Sequence, residues 1–365
     1  MMRLARMIRG NPLLWLLVFV PVVIFGEHAW PEAHTRLFLL SVLAIIPLAA
    51  LLSIATESVA HYTGDAVGGL INATLGNLTE LVIIITALQV GQYALVKASI
   101  AGAIVTNSLF MLGGAFLLGG LTRHVQEFNR VSARLQASLL FIATVALLMP
   151  SALAAVDRVA DPAALQSLST MLAILLIGGY ALAMLFSLRT HKELFVSAAH
   201  GDAEGEGEVL PLALALAILG VVTVLVALVS EIFVGSVEVA GDALGLSPAF
   251  VGFIVVSLVG GAAEFAAAFS AARRDRLDLS VSIALGSASQ IALFIAPLAV
   301  LLSHFVGPQR MGLDFWPGAI VMMLIATLTA ALLANGGRST WFVGIMVLMV
   351  YAIFGLSLYI LPPIG

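Results

Sequence analysis

The sequence predicts an all-α polytopic membrane protein of about eleven transmembrane helices, arranged as inverted five-helix repeats with an extra N-terminal helix. Three observations lead to this fold class. Of the 365 residues, 61% are hydrophobic and 10% are charged, whereas soluble domains carry about 25% charged residues. Long apolar stretches recur along the whole chain. One short motif, a glycine followed four residues later by a glutamate inside an apolar stretch, occurs in each half.

The candidate helices are windows of about 20 apolar residues, the length that crosses a bilayer. The first window follows Arg3, Arg6 and Arg9 and has no small-residue cleavage site after it, which indicates a retained helix rather than a signal peptide. The eleven predicted spans are 11–27, 36–55, 66–88, 97–121, 133–150, 164–188, 209–232, 248–272, 279–303, 315–334 and 341–361.

The basic residues of the predicted loops indicate the orientation of the chain. With the N-terminus in the cytoplasm, 12 of the 16 Lys and Arg residues fall on the cytoplasmic side and 4 on the outer side. The positive-inside rule predicts such a bias, which would disappear if one span were missing from the middle of the chain. We therefore expect a cytoplasmic N-terminus, an outer C-terminus and, as location, the inner (cell) membrane of a bacterium.

The two halves of the chain align with each other. A shift of 184 residues places Gly76 on Gly260 and Glu80 on Glu264 without a gap, and a shift of 183 residues brings the following predicted spans into register. Because the two glutamate-bearing spans run in opposite directions, the halves form an inverted repeat. The expected divisions are an N-terminal helix at 1–35, a first repeat at 36–188, an acidic cytoplasmic linker at 189–208 and a second repeat at 209–365.

The two glutamates are the strongest candidates for function. A carboxylate at this depth costs about 2.5–3.5 kcal/mol on insertion scales, so its presence points to a role. Inverted repeats place a transported substrate near the bilayer midplane, where glycine-interrupted helices free backbone carbonyls. The candidate cation and proton site combines the carboxylates, nearby amides and helix breaks of both halves: Glu80, Glu264, Asn77, Asn107, Gln290, Gly76, Gly260 and Gly261.

The chemistry of these donors favours a divalent cation, with Glu80 and Glu264 as the metal ligands. Ca2+ accepts six to eight oxygens in a tolerant geometry, whereas Mg2+ demands tight octahedral geometry and keeps its water. Once the ion leaves, repulsion and low dielectric favour protonation of two close carboxylates, so the site suits exchange of a cation for protons. With no cysteine and no HExxH pair, the chain has no signature of a membrane enzyme, and no cofactor is expected beyond Ca2+ as transported substrate.

Three further acidic residues lie near the ends of predicted spans. Glu57 precedes the first motif on the cytoplasmic side, and Glu231 and Glu238 precede the second on the outer side. Each is either an ordinary solvated residue or part of a vestibule that guides cations or relays protons.

Five stretches (55–57, 68–81, 230–238, 260–264 and 284–294) resemble the Ca2+/H+ antiporter family of the cation/Ca2+ exchanger superfamily. The resemblance implies a ten-helix inverted-repeat core with an extra N-terminal helix, and alternating access by sliding of peripheral helices past that core. It also implies ion ligands at Glu80 and Glu264, with Asn77, Asn107 and Gln290 beside them.

Two positions depart from the family pattern. Gly261 stands where Asn is usual, which removes a side-chain ligand, and Phe265 stands where His is usual, which removes a candidate proton group. The expected function is export of Ca2+ from the cytoplasm in exchange for H+. Exchange of Na+/H+, K+/H+ or Na+/Ca2+ stays open as an alternative, and a passive cation channel is disfavoured by the inverted repeat. The expected partners are these ions and the lipid bilayer, with no nucleic acid, and the sequence does not determine the oligomeric state.

Overall fold

The computed structural model describes residues 11–63, 65–156, 161–194 and 209–361, so the acidic part of the predicted linker, 200–208, lies outside the described residues. Helices occupy nearly all of these ranges. They are α1 (Pro12–Ala29), α2 (His34–Thr63), α3 (Asp65–Leu75), α4 (Leu78–Gln89), α5 (Tyr93–Gly120), α6 (Arg130–Val156), α7 (Pro162–Thr190), α8 (Leu212–Leu244), α9 (Pro248–Gly260), α10 (Ala262–Arg273), α11 (Leu277–Leu302), α12 (Pro317–Ala334) and α13 (Trp341–Ile360), with a short 3-10 turn at Lys192–Leu194 and the strands β1 (Gln126–Glu127) and β2 (Arg338–Ser339).

The predicted helical membrane fold is confirmed, with a difference in how the spans are built. Within the described ranges, nine helices are long and apolar enough to cross a bilayer: α1, α2, α5, α6, α7, α8, α11, α12 and α13. Helices α9 and α10 form a tenth span that bends by 59° at a break. The remaining predicted span, 66–88, is divided into α3 and α4, which are 11 and 12 residues long. The eleven predicted spans therefore correspond, in the described residues, to nine continuous helices and two spans that are each divided into two helices.

Two helices continue well beyond their predicted ends. The spans predicted at 36–55 and 209–232 belong to α2 and α8, which extend to Thr63 and Leu244. A hydropathy window stops where polar side chains begin, but the backbone hydrogen bonds of a helix continue through such residues. Helix α8 ends only at Gly245, whose left-handed conformation (φ 69°) is the usual glycine stop signal. The three vestibule candidates therefore lie inside helices and not beside their ends.

The internal repeat is visible in the local backbone. Each half contains an interrupted span, and the helix after the break begins immediately after Asn77 (φ −98°, ψ 30°) or Gly261 (φ −80°, ψ 5°). In each half the next helix contains a π-helical segment, at Thr106–Met111 in α5 and at Ile291–Ile295 in α11. Structural irregularities thus recur at the spacing that relates the two halves in sequence.

Small residues bring the central helices together. A Cβ on Gly102 of α5 would collide with the carbonyl oxygen of Phe253 in α9, and a Cβ on Gly252 would lie 2.6 Å from the Cβ of Ala98. The two backbones are therefore in direct contact, as in other tightly packed transmembrane helices. This contact allows the hydroxyls of Thr106 and Ser257 to meet at 3.0 Å in the centre of the bundle.

The two long helices α2 and α8 pack along each other and flank the interrupted spans. Helix α8 also contacts α4, and α2 contacts α10. Each long helix therefore lies against the glutamate-bearing helix of the opposite half. This crosswise arrangement places both interrupted spans between α2 and α8 on one side and α5 and α11 on the other.

Candidate cation site

The two glycine–glutamate motifs meet in the interior of the bundle. Glu80 is buried, and a Cβ built on Gly260 would lie 3.0 Å from its Cγ and 3.1 Å from its Oε1. The carboxylate of the first half therefore rests on the glycine of the second half. A side chain at position 260 would take the space that the carboxylate occupies.

Both carboxylates have the same place in their helices. Glu80 is the third residue of α4 and Glu264 is the third residue of α10, each directly after a break. The positive end of a helix dipole stabilises a charged carboxylate by about 0.3–1 kcal/mol. This is less than the several kcal/mol that burying an ion costs, so the helix ends alone do not balance two charges.

The structure joins the predicted amides of both halves in one hydrogen-bonded chain. Asn107 Nδ2 donates to Ser287 Oγ at 2.8 Å, Ser287 Oγ donates to Asn77 Oδ1 at 3.2 Å, and Asn77 Nδ2 donates to Gln290 Oε1 at 2.7 Å. Asn77 and Asn107 are 1% and 2% exposed, so water does not compete for these bonds. The chain connects the first break with α5 and α11, and its central member Ser287 is also a neighbour of the Glu264 carboxylate.

Glu264 is left with an unsatisfied oxygen. Its Oε2 is buried and has no hydrogen-bond partner. The Ser287 hydroxyl lies within hydrogen-bonding reach of the carboxylate group but does not bond to this oxygen. The carboxylates of Glu264 and Glu80 are close enough to repel each other when both are charged. A buried polar atom without a partner is costly. A bound cation or a proton would satisfy it.

No basic side chain among the described residues forms an ion pair with either glutamate. Lys97 lies in the first turns of α5, and its Nζ contacts Asp314 at 2.8 Å. It is ten residues, or about 15 Å of helix, from Asn107. In the part of the chain that the structure describes, no three His, Cys, Asp or Glu residues cluster as metal ligands. A cation here would meet two carboxylates and otherwise neutral oxygens.

A small cavity adjoins Glu80 and contributes hydroxyl groups that the sequence did not single out. Ser99 and Ser257 line it together with apolar side chains of α4, α5, α9 and α11. Thr106 links Ser257 to the hydroxyl of Tyr351 in α13, at 3.2 Å. Serine and threonine are common in packed transmembrane helices, so their presence alone carries no functional signal. Ser287 was missed for the same reason.

The three vestibule candidates do not join the central site. Glu57 lies on an exposed part of α2, where its Oε1 accepts a hydrogen bond from Ser53 at 3.1 Å. Glu231 and Glu238 are exposed on α8, one above the other, and Asp242 continues the same face one turn further. A row of carboxylates at the lipid would be expensive. This face of α8 therefore suits contact with water.

Comparisons with known proteins identify the family and the fold of this chain. Residues 34–189 and 214–360 match the family described as sodium/calcium exchanger protein. A protein named Ca2+/H+ antiporter from Synechocystis is 40% identical over 361 residues, which cover 95% of this chain and 96% of that protein. The solved structure of native YfkE, at 34% identity, has a TM-score of 0.81 and covers 95% of this chain and 98% of its own. The solved structure of an H+/Ca2+ exchanger CAX has the same fold, with a TM-score of 0.71. It is 16% identical in sequence, and the match covers 96% of this chain and 91% of that one. The chain belongs to the sodium/calcium exchanger protein family of integral membrane transporters.

Proposed function

We propose that this protein is a secondary-active antiporter that exports Ca2+ from the cytoplasm in exchange for H+. The observation that carries the proposal is the contact of Glu80 with Gly260 of the second motif, beside the carboxylate of Glu264. Glu264 has a buried unsatisfied oxygen, and neither glutamate has a basic partner among the described residues. Two carboxylates are balanced either by one divalent cation or by two protons. The names of similar proteins, such as the Ca2+/H+ antiporter of Synechocystis, favour Ca2+ as the cation.

In this proposal the cation binds between the two helix breaks. Glu80 and Glu264 supply the charge, and Asn77, Asn107 and Gln290 supply or orient neutral oxygens. Backbone carbonyls at Gly76, Gly260 and Gly261 complete a shell of the tolerant kind that Ca2+ accepts. The protein acts without a cofactor and is not an enzyme, since no bond of a substrate is made or broken.

Access to the site from the two sides would involve the long helices. Because α8 lies on α4 and α2 lies on α10, a movement of this pair against the remaining helices would uncover one glutamate at a time. Glu57 would then line a cytoplasmic vestibule, and Glu231 and Glu238 an outer one. Their negative charge would raise the local concentration of cations.

The proposed orientation rests on the distribution of charge in the sequence. Twelve of the 16 basic residues fall on the cytoplasmic side of the predicted spans if the N-terminus is inside. The repeats are proposed at 36–188 and 209–365, after an N-terminal helix in 1–35 and separated by a cytoplasmic linker at 189–208. The proposed location is the inner membrane of a bacterium, with the C-terminus outside.

The direct test of this function is cation-dependent proton flux in everted vesicles that hold an acidic interior. Addition of Ca2+ is expected to collapse the pH gradient, whereas Mg2+ at the same concentration should have little effect. A larger response to Na+ or K+ would favour the alternative exchangers. Cation flux that persists without movement of a counter-ion would contradict an antiporter and indicate a channel.

The proposed stoichiometry of one Ca2+ for two H+ has its own test. Such an exchange moves no net charge, so its rate at a fixed pH gradient should be the same when the membrane potential is clamped at different values. A strong dependence on potential would refute this stoichiometry without refuting exchange.

Replacement of Ser287 by Ala should weaken cation binding more than it slows turnover. The change leaves Asn77 Oδ1 and Asn107 Nδ2 without their shared partner, and one such unmade buried bond costs about 1–3 kcal/mol. We therefore expect the KM for Ca2+ to rise about fivefold or more, since 1 kcal/mol is a factor of about five. Ser289→Ala is the matched control because Ser289 lies on the same helix and bonds to Gln136 and Leu285. Equal KM values for the two variants would contradict the role of Ser287.

A further inference from the structure

Position 261 and position 265 differ from their counterparts in the first half. The shift of 184 residues relates Gly261 to Asn77 and Phe265 to Leu81. The backbone is the same in both halves, since the N–H of Leu81 donates to the carbonyl of Asn77 at 3.1 Å and the N–H of Phe265 donates to that of Gly261 at 3.0 Å. Only the side chains differ. The first half has a polar side chain at Asn77 and an aliphatic one at Leu81, whereas the second half has no side chain at Gly261 and an aromatic ring at Phe265.

The ring of Phe265 lies where a side chain at position 261 would be. A Cβ built on Gly261 would be 2.8 Å from Cζ and 3.1 Å from Cε1 of this ring. Contacts below 3.0 Å are essentially never made by real Cβ atoms, so even alanine requires the ring to move. The absence of a side chain at position 261 and the presence of a large one at 265 are therefore one structural feature.

The surrounding aromatic residues hold this ring in place. Phe265 is 6% exposed, and its ring centroid is 5.5 Å from that of Phe110 and 6.3 Å from that of Phe269. Phe269 in turn fills the space beside Gly114 of α5, where a Cβ would lie 2.6 Å from its Cε1. Displacing the Phe265 ring therefore disturbs the packing of α10 against α5, which costs more than a simple rotamer change.

The missing side chain changes the hydrogen bonds of the site. In the first half Asn77 donates to Gln290, which is the counterpart of Asn107. The equivalent partner of Asn107 would be a side chain at position 261. Because there is none, Asn107 donates to Ser287 instead. The second half thus presents Glu264 without a neighbouring amide on its own helix break.

We propose that Phe265 is a specificity-determining residue that excludes a side-chain ligand from the second helix break. Its ring occupies the place of a ligand at position 261, so a divalent cation meets fewer side-chain oxygens from the second half than from the first. A side chain at position 261 therefore requires a smaller residue at position 265. The statement about the cation rests on the proposed function, whereas the steric coupling of the two residues does not.

A double-mutant cycle tests both parts. The variants are Gly261→Asn, Phe265→Leu and the double variant, which copies the Asn–Leu combination of the first half. We measure the melting temperature of the purified protein in detergent and the KM for Ca2+ in proteoliposomes. Gly261→Asn alone should lower the melting temperature by about 3 °C or more, because an overpacked core is destabilised. The double variant should regain most of this loss and show a KM for Ca2+ about threefold below that of Phe265→Leu, since an added oxygen ligand raises affinity.

Two further variants keep the test decisive. If Gly261→Asn does not fold, Gly261→Ala replaces it, because a single Cβ already meets the ring. Gly220→Ala in α8 is the control, since a Cβ there has nothing within 4 Å. The coupling is refuted if Gly261→Ala and Gly220→Ala melt at the same temperature. If the melting temperatures are coupled but the KM is equal in the double variant and in Phe265→Leu, the pair is a packing feature and the specificity role is refuted. The melting temperatures do not depend on whether Glu80 and Glu264 carry the exchange. The comparison of KM values does, and it is read only if the unmutated protein transports Ca2+ and the separate glutamate variants do not.

Discussion

Glu80→Gln and Glu264→Gln are each expected to abolish exchange while the protein still inserts into the membrane. Glutamine keeps the size of the side chain but can neither balance a divalent cation nor take up the exchanged proton. Loss of one charge from a buried, paired site costs about 2–5 kcal/mol. This corresponds to a loss of cation affinity of about 30-fold or more. The measurement is Ca2+-dependent proton flux in vesicles that contain equal amounts of each protein.

A stability measurement separates loss of function from misfolding in these variants. At alkaline pH and without a cation, both carboxylates of the native site are charged and repel each other, and Glu264 Oε2 has no partner. Removing either charge should therefore leave the melting temperature of the ion-free protein unchanged or raise it. Glu127→Gln serves as control, because its exposed ion pair with Arg338 is outside the site and is worth at most about 1 kcal/mol. Robust exchange by either site variant would end the assignment of the two glutamates.

Gly260→Ala is the second substitution for which we expect a large effect. The new methyl group would lie 3.0 Å from Cγ and 3.2 Å from Cδ of Glu80, so the carboxylate must move away from the helix break. A displacement of 1 Å can cost about 100-fold in a positioned site. The carboxylate has to shift by only a few tenths of an ångström, so the loss should be smaller than for a displacement of 1 Å. We expect the transport rate to fall at least about tenfold.

Because alanine favours the helix more than glycine does, this variant should remain folded. Gly220→Ala again provides the control, as it adds the same methyl group to a transmembrane helix in open space. Size-exclusion profiles and melting temperatures should be alike for the two variants. Equal transport rates would show that the contact between Gly260 and Glu80 is not needed for exchange.

Much of the fold was accessible from the sequence because membrane insertion depends on local properties. The length of apolar stretches and the bias of basic residues predicted the number of spans. The glycine before each glutamate predicted an interruption, and the structure has breaks at residues 76–77 and at Gly261. The lengths of α2 and α8 were underestimated, because hydropathy measures the environment of side chains and not the continuity of backbone hydrogen bonds. The internal repeat likewise identified Glu80, Glu264, Asn77, Asn107 and Gln290 as one candidate group.

The partners of these residues could not be read from spacing. The bonds from Asn77 to Gln290, from Ser287 to Asn77 and from Asn107 to Ser287 join residues 213, 210 and 180 positions apart. Which side chains meet over such separations depends on the register and rotation of packed helices, which many small contacts decide together.

The sequence by itself determined that this protein is a helical membrane protein with an internal repeat, and it singled out two glutamates as the candidate site, because hydrophobic length, charge bias and the repeat are properties of the chain. Only the tertiary structure decided how the site is built. It placed the Glu80 carboxylate on Gly260, gave Ser287 two amide partners and put the Phe265 ring over Gly261. These are contacts between surfaces of different helices or turns, and they exist only once close packing has fixed where each side chain can lie.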